Sequence, residues 1–144
     1  METDSKIALF LDTNVVIDYL TTRDRFSIYS AALFQLAEEG VVELYVSDIT
    51  FTNISYILRK EAKDKLYSSL AMLSESANFV AASSLIIKRA IKAEWDDFED
   101  AIQYFSAVKC KADYLVTRNA KDFKDSKIPV VSPQQLLHNL GYVI

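Results

Sequence analysis

One cysteine and one histidine are all the thiol and imidazole chemistry available to this 144-residue chain. Cys110, being alone, allows no intrachain disulfide and no cysteine-based zinc site. His138, equally alone, leaves Ser–His–Asp, Cys–His and histidine–zinc chemistries without their parts. Two glycines and two prolines leave little room for flexible linkers or low-complexity tails. No apolar run approaches the ~20 residues that a membrane helix needs. Met1-Glu2-Thr3-Asp4 carries acid where a secretory signal carries base, so a cytoplasmic location is expected. Base is not in excess either: 16 Lys and Arg face 20 Asp and Glu, a net charge of −4, which argues against an unspecific nucleic-acid coat.

What is present is the composition of one globular domain over 1–144, with 51% hydrophobic and 25% charged residues supplying both a core and a solvated surface. The apolar run 7–11 reads as a buried parallel strand. A helical pattern follows, with Val15, Val16, Tyr19 and Leu20 apolar, up to a polar break at 21–25. Helices are expected over 27–39, from Ser47 to about Lys60, and over 62–74, 84–93 and 97–110. Short strands are expected at 43–46, 79–81, 114–116 and 130–131. Ser132-Pro133-Gln134-Gln135 is a capping box with proline at the first helical position, opening a last helix that carries His138 on its surface and stops at Gly141. Strands alternating with helices give an α/β fold of three layers, a central parallel sheet of four to five strands flanked by helices. Right-handed crossovers bring the ends of strands 7–11 and 114–116 to one edge.

That edge is where the acids gather. Asp12 directly follows the first strand, and ligands of open α/β sheets collect at the carboxyl ends of strands. Asp97 and Asp100, three apart, share a helix face, with Ala101, Phe105 and Val108 expected as the core stripe. Asn119 and Asp122 follow the strand at 114–116. Oxygen ligands converging from distant segments suit a divalent cation, Mg2+ or Mn2+. Each also has a plainer explanation: Asp12 as a helix cap, 97–100 as an acidic first turn, and Asn119 as the cap of a turn through Asp122. Basic residues Lys109, Lys111, Arg118, Lys121, Lys124 and Lys127 form a shoulder beside the acids. Arg118, Lys121 and Arg23 are the candidate phosphate contacts. Phe26 and Tyr104 could stack a base, though core packing is the commoner role of such aromatics. A phosphatase that uses a strand-end Asp needs a second Asp two positions on, where Asn14 stands.

Leu11-Asp12-Thr13-Asn14, Asp100-Ala101-Ile102 with Ala107, and Thr117-Arg118-Asn119 with Asp122-Phe123 resemble the signatures of PIN-domain ribonucleases, a family that includes the VapC-type toxins. Asp97-Phe98-Glu99-Asp100-Ala101 followed by Asp113–Asn119 resembles one bacterial subgroup. The resemblance covers nearly the whole chain. It implies a PIN-like fold and a metal-dependent endoribonuclease of RNA, with a cognate antitoxin as partner and a homodimeric state. Asp12, Asp100 and Asn119 match family site positions, Asp122 could assist, and Thr13, Asn14, Asn53 and Arg118 are candidate substrate contacts. The family usually places a Glu six residues beyond a Ser, and counting from Ser47 gives Asn53. An Asn carbonyl brings no charge, so Asp97 is the expected replacement. Glu99, turned about 200° from Asp97 at ~100° per residue, is the less favoured one. The rival reading is a degenerate PIN-fold module that binds RNA or a partner protein without cutting.

Overall fold

The computed structural model describes residues 6–21 and 25–143. Arg23 and the first residues of the chain lie outside them. Five strands, β1 (Ile7–Leu11), β2 (Val42–Ser47), β3 (Asn78–Val80), β4 (Tyr114–Val116) and β5 (Val130–Val131), form one sheet in the order β3-β2-β1-β4-β5. Every pairing is parallel. Among the described residues seven α-helices accompany them: α1 (Thr13–Thr21), α2 (Phe26–Glu38), α3 (Asp48–Glu61), α4 (Leu66–Ser76), α5 (Ser84–Ala93), α6 (Phe98–Lys109) and α7 (Pro133–Asn139). This is the expected three-layer α/β architecture.

The side-chain period of two in β1 sorts the core onto both faces of the sheet. Leu9 and Leu11 pack with Val15, Val16, Leu33, Ile54, Leu58, Leu73 and Leu136 under α1–α4 and α7. Phe10, pointing the other way, packs with Ile86, Ala90, Ile102, Ala107 and Phe123 under α5 and α6. Each buried Leu, Ile, Val or Phe among them stabilises the fold by roughly 1.5–3 kcal/mol. Covered on both faces, the central strands can be continuous apolar runs.

Local chemistry sets the helix boundaries. The Ser47 hydroxyl accepts from the Ile49 amide and starts α3, Ser83 does the same for Ile86 in α5, and Ser132 for Gln135 in α7. The helix expected over 62–74 is split. Ala62 leaves helical geometry at φ −154°, a single 3-10 turn covers Lys63–Lys65, and α4 begins only at Leu66. The core stripe expected on α6 also needs correcting. Ala101 is buried, but Phe105 and Val108 are only half-buried, while Ile102, Gln103, Tyr104, Ser106 and Ala107 turn inward. Packed against both α5 and the sheet, α6 is covered around most of its girth, so even a glutamine faces in.

The chain runs outward from β1 to β2 and β3, then returns to place β4 and β5 on the other side of β1. The strand order therefore reverses between β1 and β4. At that reversal the connections diverge to opposite sides and leave a crevice at the carboxyl edge. Asp12 sits in it.

Candidate metal centre

Asp12 continues the ladder one residue past β1: its amide donates to the Val116 carbonyl of β4 at 2.9 Å. The carboxylate is only 8% exposed, and both of its oxygens are held. Oδ1 accepts from the Thr13 amide (2.9 Å) and from Gln103 Nε2 of α6 (3.2 Å). Oδ2 accepts from Thr117 Oγ1 (2.8 Å) and, at 3.5 Å, from Asn14 Nδ2. Burial pushes the Asp12 carboxyl up from its usual range, opposed by the bonds from Thr117, Gln103 and Thr13 and reinforced by the charge of Glu99. The plainer helix-cap reading accounts for one of these bonds only, the one from Thr13.

The bracing side chains form a second layer. Gln103 Nε2 also reaches Thr13 Oγ1 (3.4 Å) and Thr50 Oγ1 (3.3 Å) of α3, and those two hydroxyls meet at 2.9 Å. Asn14 donates to Thr117 Oγ1 (3.2 Å) and accepts from the Arg118 amide (3.3 Å). Thr13 and Asn14, expected to contact substrate, have their polar atoms engaged around Asp12, where they help to position it. Arg118 is likewise engaged within the protein. Its Nε and Nη2 grip both oxygens of the buried Asp18 at 2.6 and 3.2 Å, and its guanidinium lies 4.4 Å from the centre of the Phe26 ring. Phe26 and Tyr104 do not offer open faces for a base. Phe26 lies beneath Arg118, and Tyr104 is buried against Trp95.

Asp97 proves to be the N-cap of α6 and not a member of its first turn. It has extended backbone (φ −114°, ψ 113°), and its carboxylate accepts from the Asp100 amide at 3.2 Å. Its charge still acts on Asp100. The Asp100 carboxyl is pushed up to about 7 by burial and by the charges of Asp97, Asp12, Asp122 and Glu99. Asp97, Asp100 and Asp122 line a cavity of about 300 Å³ with Trp95, Lys121 and Lys124. Asn119 is exposed beside it and does not cap the next turn with its side chain. The main chain closes that 3-10 turn, Asp122 N–H to Asn119 C=O at 3.0 Å, while the Asn119 amide is held by Thr117 Oγ1 at 3.1 Å.

Gln103 is the residue that sequence reasoning missed, while it gives Thr117 only as part of a motif and Glu99 only as the less favoured replacement for the family Glu. Asn53 Nδ2 donates to Glu99 Oε2 at 2.9 Å, and the Glu99 charge reaches both Asp12 and Asp100, so Glu99 faces the site instead of turning away from it. This also gives Asn53 a partner within the protein in place of the expected substrate contact.

The donor set is hard oxygen, and burial together with the repulsion among its charges raises Asp100. Such a set fits a divalent cation of the Mg2+ or Mn2+ kind. Among the described residues no three Asp, Glu, His or Cys side chains are grouped so that they could hold a metal ion between them.

The fold and its acidic cavity define a three-layer α/β protein with an oxygen-rich site at the strand-order reversal. The PIN domain matches residues 8–121, and the chain belongs to that family. No curated protein matches the chain. Among solved structures it is similar to a toxin–antitoxin complex from Klebsiella pneumoniae (29% identity, 88% of this chain and 97% of that one, TM-score 0.63). It shares its fold with the DNA-bound VapBC of Salmonella typhimurium (17%, 88% and 98%, TM-score 0.68). The same holds for Mycobacterium tuberculosis VapC20, described as a sarcin-ricin loop cleaving toxin (14%, 74% and 86%, TM-score 0.61).

Proposed function

We propose that this protein is a divalent-metal-dependent endoribonuclease, the toxin of a toxin–antitoxin pair, acting in the cytoplasm with Mg2+ or Mn2+. The observation that carries the reading is Asp12: a buried carboxylate fixed by neutral donors on both oxygens, at the strand-order reversal, with a second raised carboxylate coupled to it. Family membership and the toxins among the structural neighbours support it.

A cation held by Asp12 and Asp100 would supply the Lewis acidity that activates water for in-line attack on a phosphodiester. The protein's own part is orientation. Thr117, Gln103 and the Thr13 amide fix Asp12, so little reorganisation is needed when charge develops. Asp97, capping α6, fixes the start of the helix that carries Asp100. Asp122, which lines the cavity, and the exposed Asn119 would be the remaining oxygen donors, with Lys121 and Lys124 of the cavity lining as the contacts for RNA phosphates. The acidic cavity equally suits a basic side chain of an antitoxin, and a homodimer remains the expected assembly. Incubating the purified protein with assorted RNAs tests the reading: cleavage should require Mn2+ and fall about 100-fold or more in Asp12→Asn. Metal-dependent cleavage surviving in that variant contradicts it.

A second reading, a silent PIN-fold binding module, is favoured by one observation. Amides occupy positions 53 and 119, and among the described residues no three Asp, Glu, His or Cys side chains are grouped so that they could hold a metal ion. It requires that Mn2+ give no carboxylate-dependent thermal stabilisation.

A further inference from the structure

We propose that the cavity containing Trp95 is a nucleobase subsite that seats one unpaired guanine of the RNA next to Asp100. The inference rests on the ribonuclease reading above and goes beyond it to the base that is read.

Phe26 and Tyr104 have no open ring for a base, but Trp95 does. It is the chain's single tryptophan, it is half-buried, and among the described residues it is the one aromatic side chain in the lining of the cavity that also contains Asp100. The indole is held from behind. Tyr104 stacks on it with ring centres 5.2 Å apart and planes 26° from parallel, and Phe123 crosses it at 6.0 Å and 74°. Both supports are fixed in turn: Tyr104 is 7% exposed and Phe123 2%, and the Tyr104 hydroxyl accepts from the Lys127 amide at 3.2 Å. Trp95 therefore loses little side-chain freedom when a ligand meets it. A fixed aromatic ring open to a cavity is the surface on which unpaired bases stack.

Size and charge narrow the occupant. A volume of about 300 Å³ lies at the lower limit of small-ligand pockets, room for one base and not for a duplex. Asp96 and Asp125 line the cavity beside Asp100, and an ionised carboxylate only accepts hydrogen bonds. Guanine turns two adjacent donors, N1–H and N2–H, toward a carboxylate's two oxygens. Adenine, cytosine and uracil each set an acceptor beside their donor, which the same carboxylate repels. The base itself is uncharged, so the acids that would repel a phosphate tolerate it. The flanking phosphates fall to Lys121 and Lys124 of the same lining.

The single tryptophan is its own probe. In metal-free buffer with EDTA, the pentaribonucleotide UUGUU should quench Trp95 emission saturably, and UUUUU should bind about tenfold more weakly or worse. Anisotropy of labelled UUGUU should show Trp95→Leu weakening binding about tenfold or more. Trp95→Phe, which keeps a ring against Tyr104, should retain most of the affinity and serves as the variant if Trp95→Leu fails urea unfolding as a folding control. Equal binding of the two pentamers, Trp95 emission indifferent to UUGUU, or wild-type affinity in folded Trp95→Leu overturns the inference. Quenching by N-acetylarginine amide and not by UUGUU assigns the cavity to a basic side chain of a protein partner and overturns it as well. RNA cleavage with Mn2+ while Trp95 stays silent overturns this inference alone. Saturable quenching by UUGUU with no RNA cleaved overturns the ribonuclease reading and leaves the base subsite standing.

Discussion

Two buried aspartates on one stretch of chain are handled in opposite ways. Asp18 and Asp12 are 2% and 8% exposed, six residues apart across α1. Asp18 is gripped by both arms of the Arg118 guanidinium, which in turn lies over Phe26. Asp12 receives four donors, none of them charged. In the first case the negative charge is cancelled where it lies, which is how a buried acid serves structure. In the second it is oriented and left standing, with further uncancelled acids nearby, which is how a buried acid serves a cation. Counting acidic residues along the sequence does not separate the two; the charge of their donors does.

Breaking the cancelled pair should have the largest effect. Arg118→Ala leaves Asp18 buried without a counter-charge and should cost about 3–5 kcal/mol in urea unfolding. Arg118→Lys, lacking the planar fork, should recover only part of that loss. A smaller cost, about 1–2 kcal/mol, is expected for Gln103→Leu, which strips one donor from Asp12. The loss is limited because Gln103 Oε1 is itself buried without a partner.

The uncancelled side should show itself in the pH dependence of metal-free stability. The folded Asp100 carboxyl titrates at about 7 against an ordinary value of 3.8. Between these values the folded state holds more protons than the unfolded state, so this group's contribution is fully present below pH ~4 and is lost as pH rises through 7. Thermal unfolding without metal should therefore fall less steeply over that window in Asp100→Asn than in the wild type. The smallest effect is expected for Asp12→Asn. It should lie within about 1 kcal/mol of the wild type without metal, because removing a charge that burial disfavours offsets the hydrogen bond lost from Thr117 Oγ1, which already accepts from Asn14 Nδ2 and the Asn119 amide.

The scaffold was legible where the pattern is coarse. The apolar run of β1, the serine caps of α3 and α7, and the alternation of strands with helices gave the layers and the parallel sheet. Asp12 and Asp100 were legible as acids brought to one edge. What failed was side-chain direction on α6. The angle that turned Glu99 away was counted from Asp97, which has extended backbone and caps the helix, so helical periodicity does not apply to it. Gln103 went unnoticed because a polar residue on an amphipathic helix is read as solvated, and only the packing of α6 against two neighbours turns it inward. Arg118 looked like a phosphate contact because its partner, Asp18, lies 100 residues away.

Anomalous diffraction from crystals soaked in Mn2+ tests the central claim most directly. The account predicts a peak between the Asp12 and Asp100 carboxylates, absent when Asp12→Asn crystals receive the same soak. A peak confined to other surface acids, or one that persists unchanged in the variant, contradicts it.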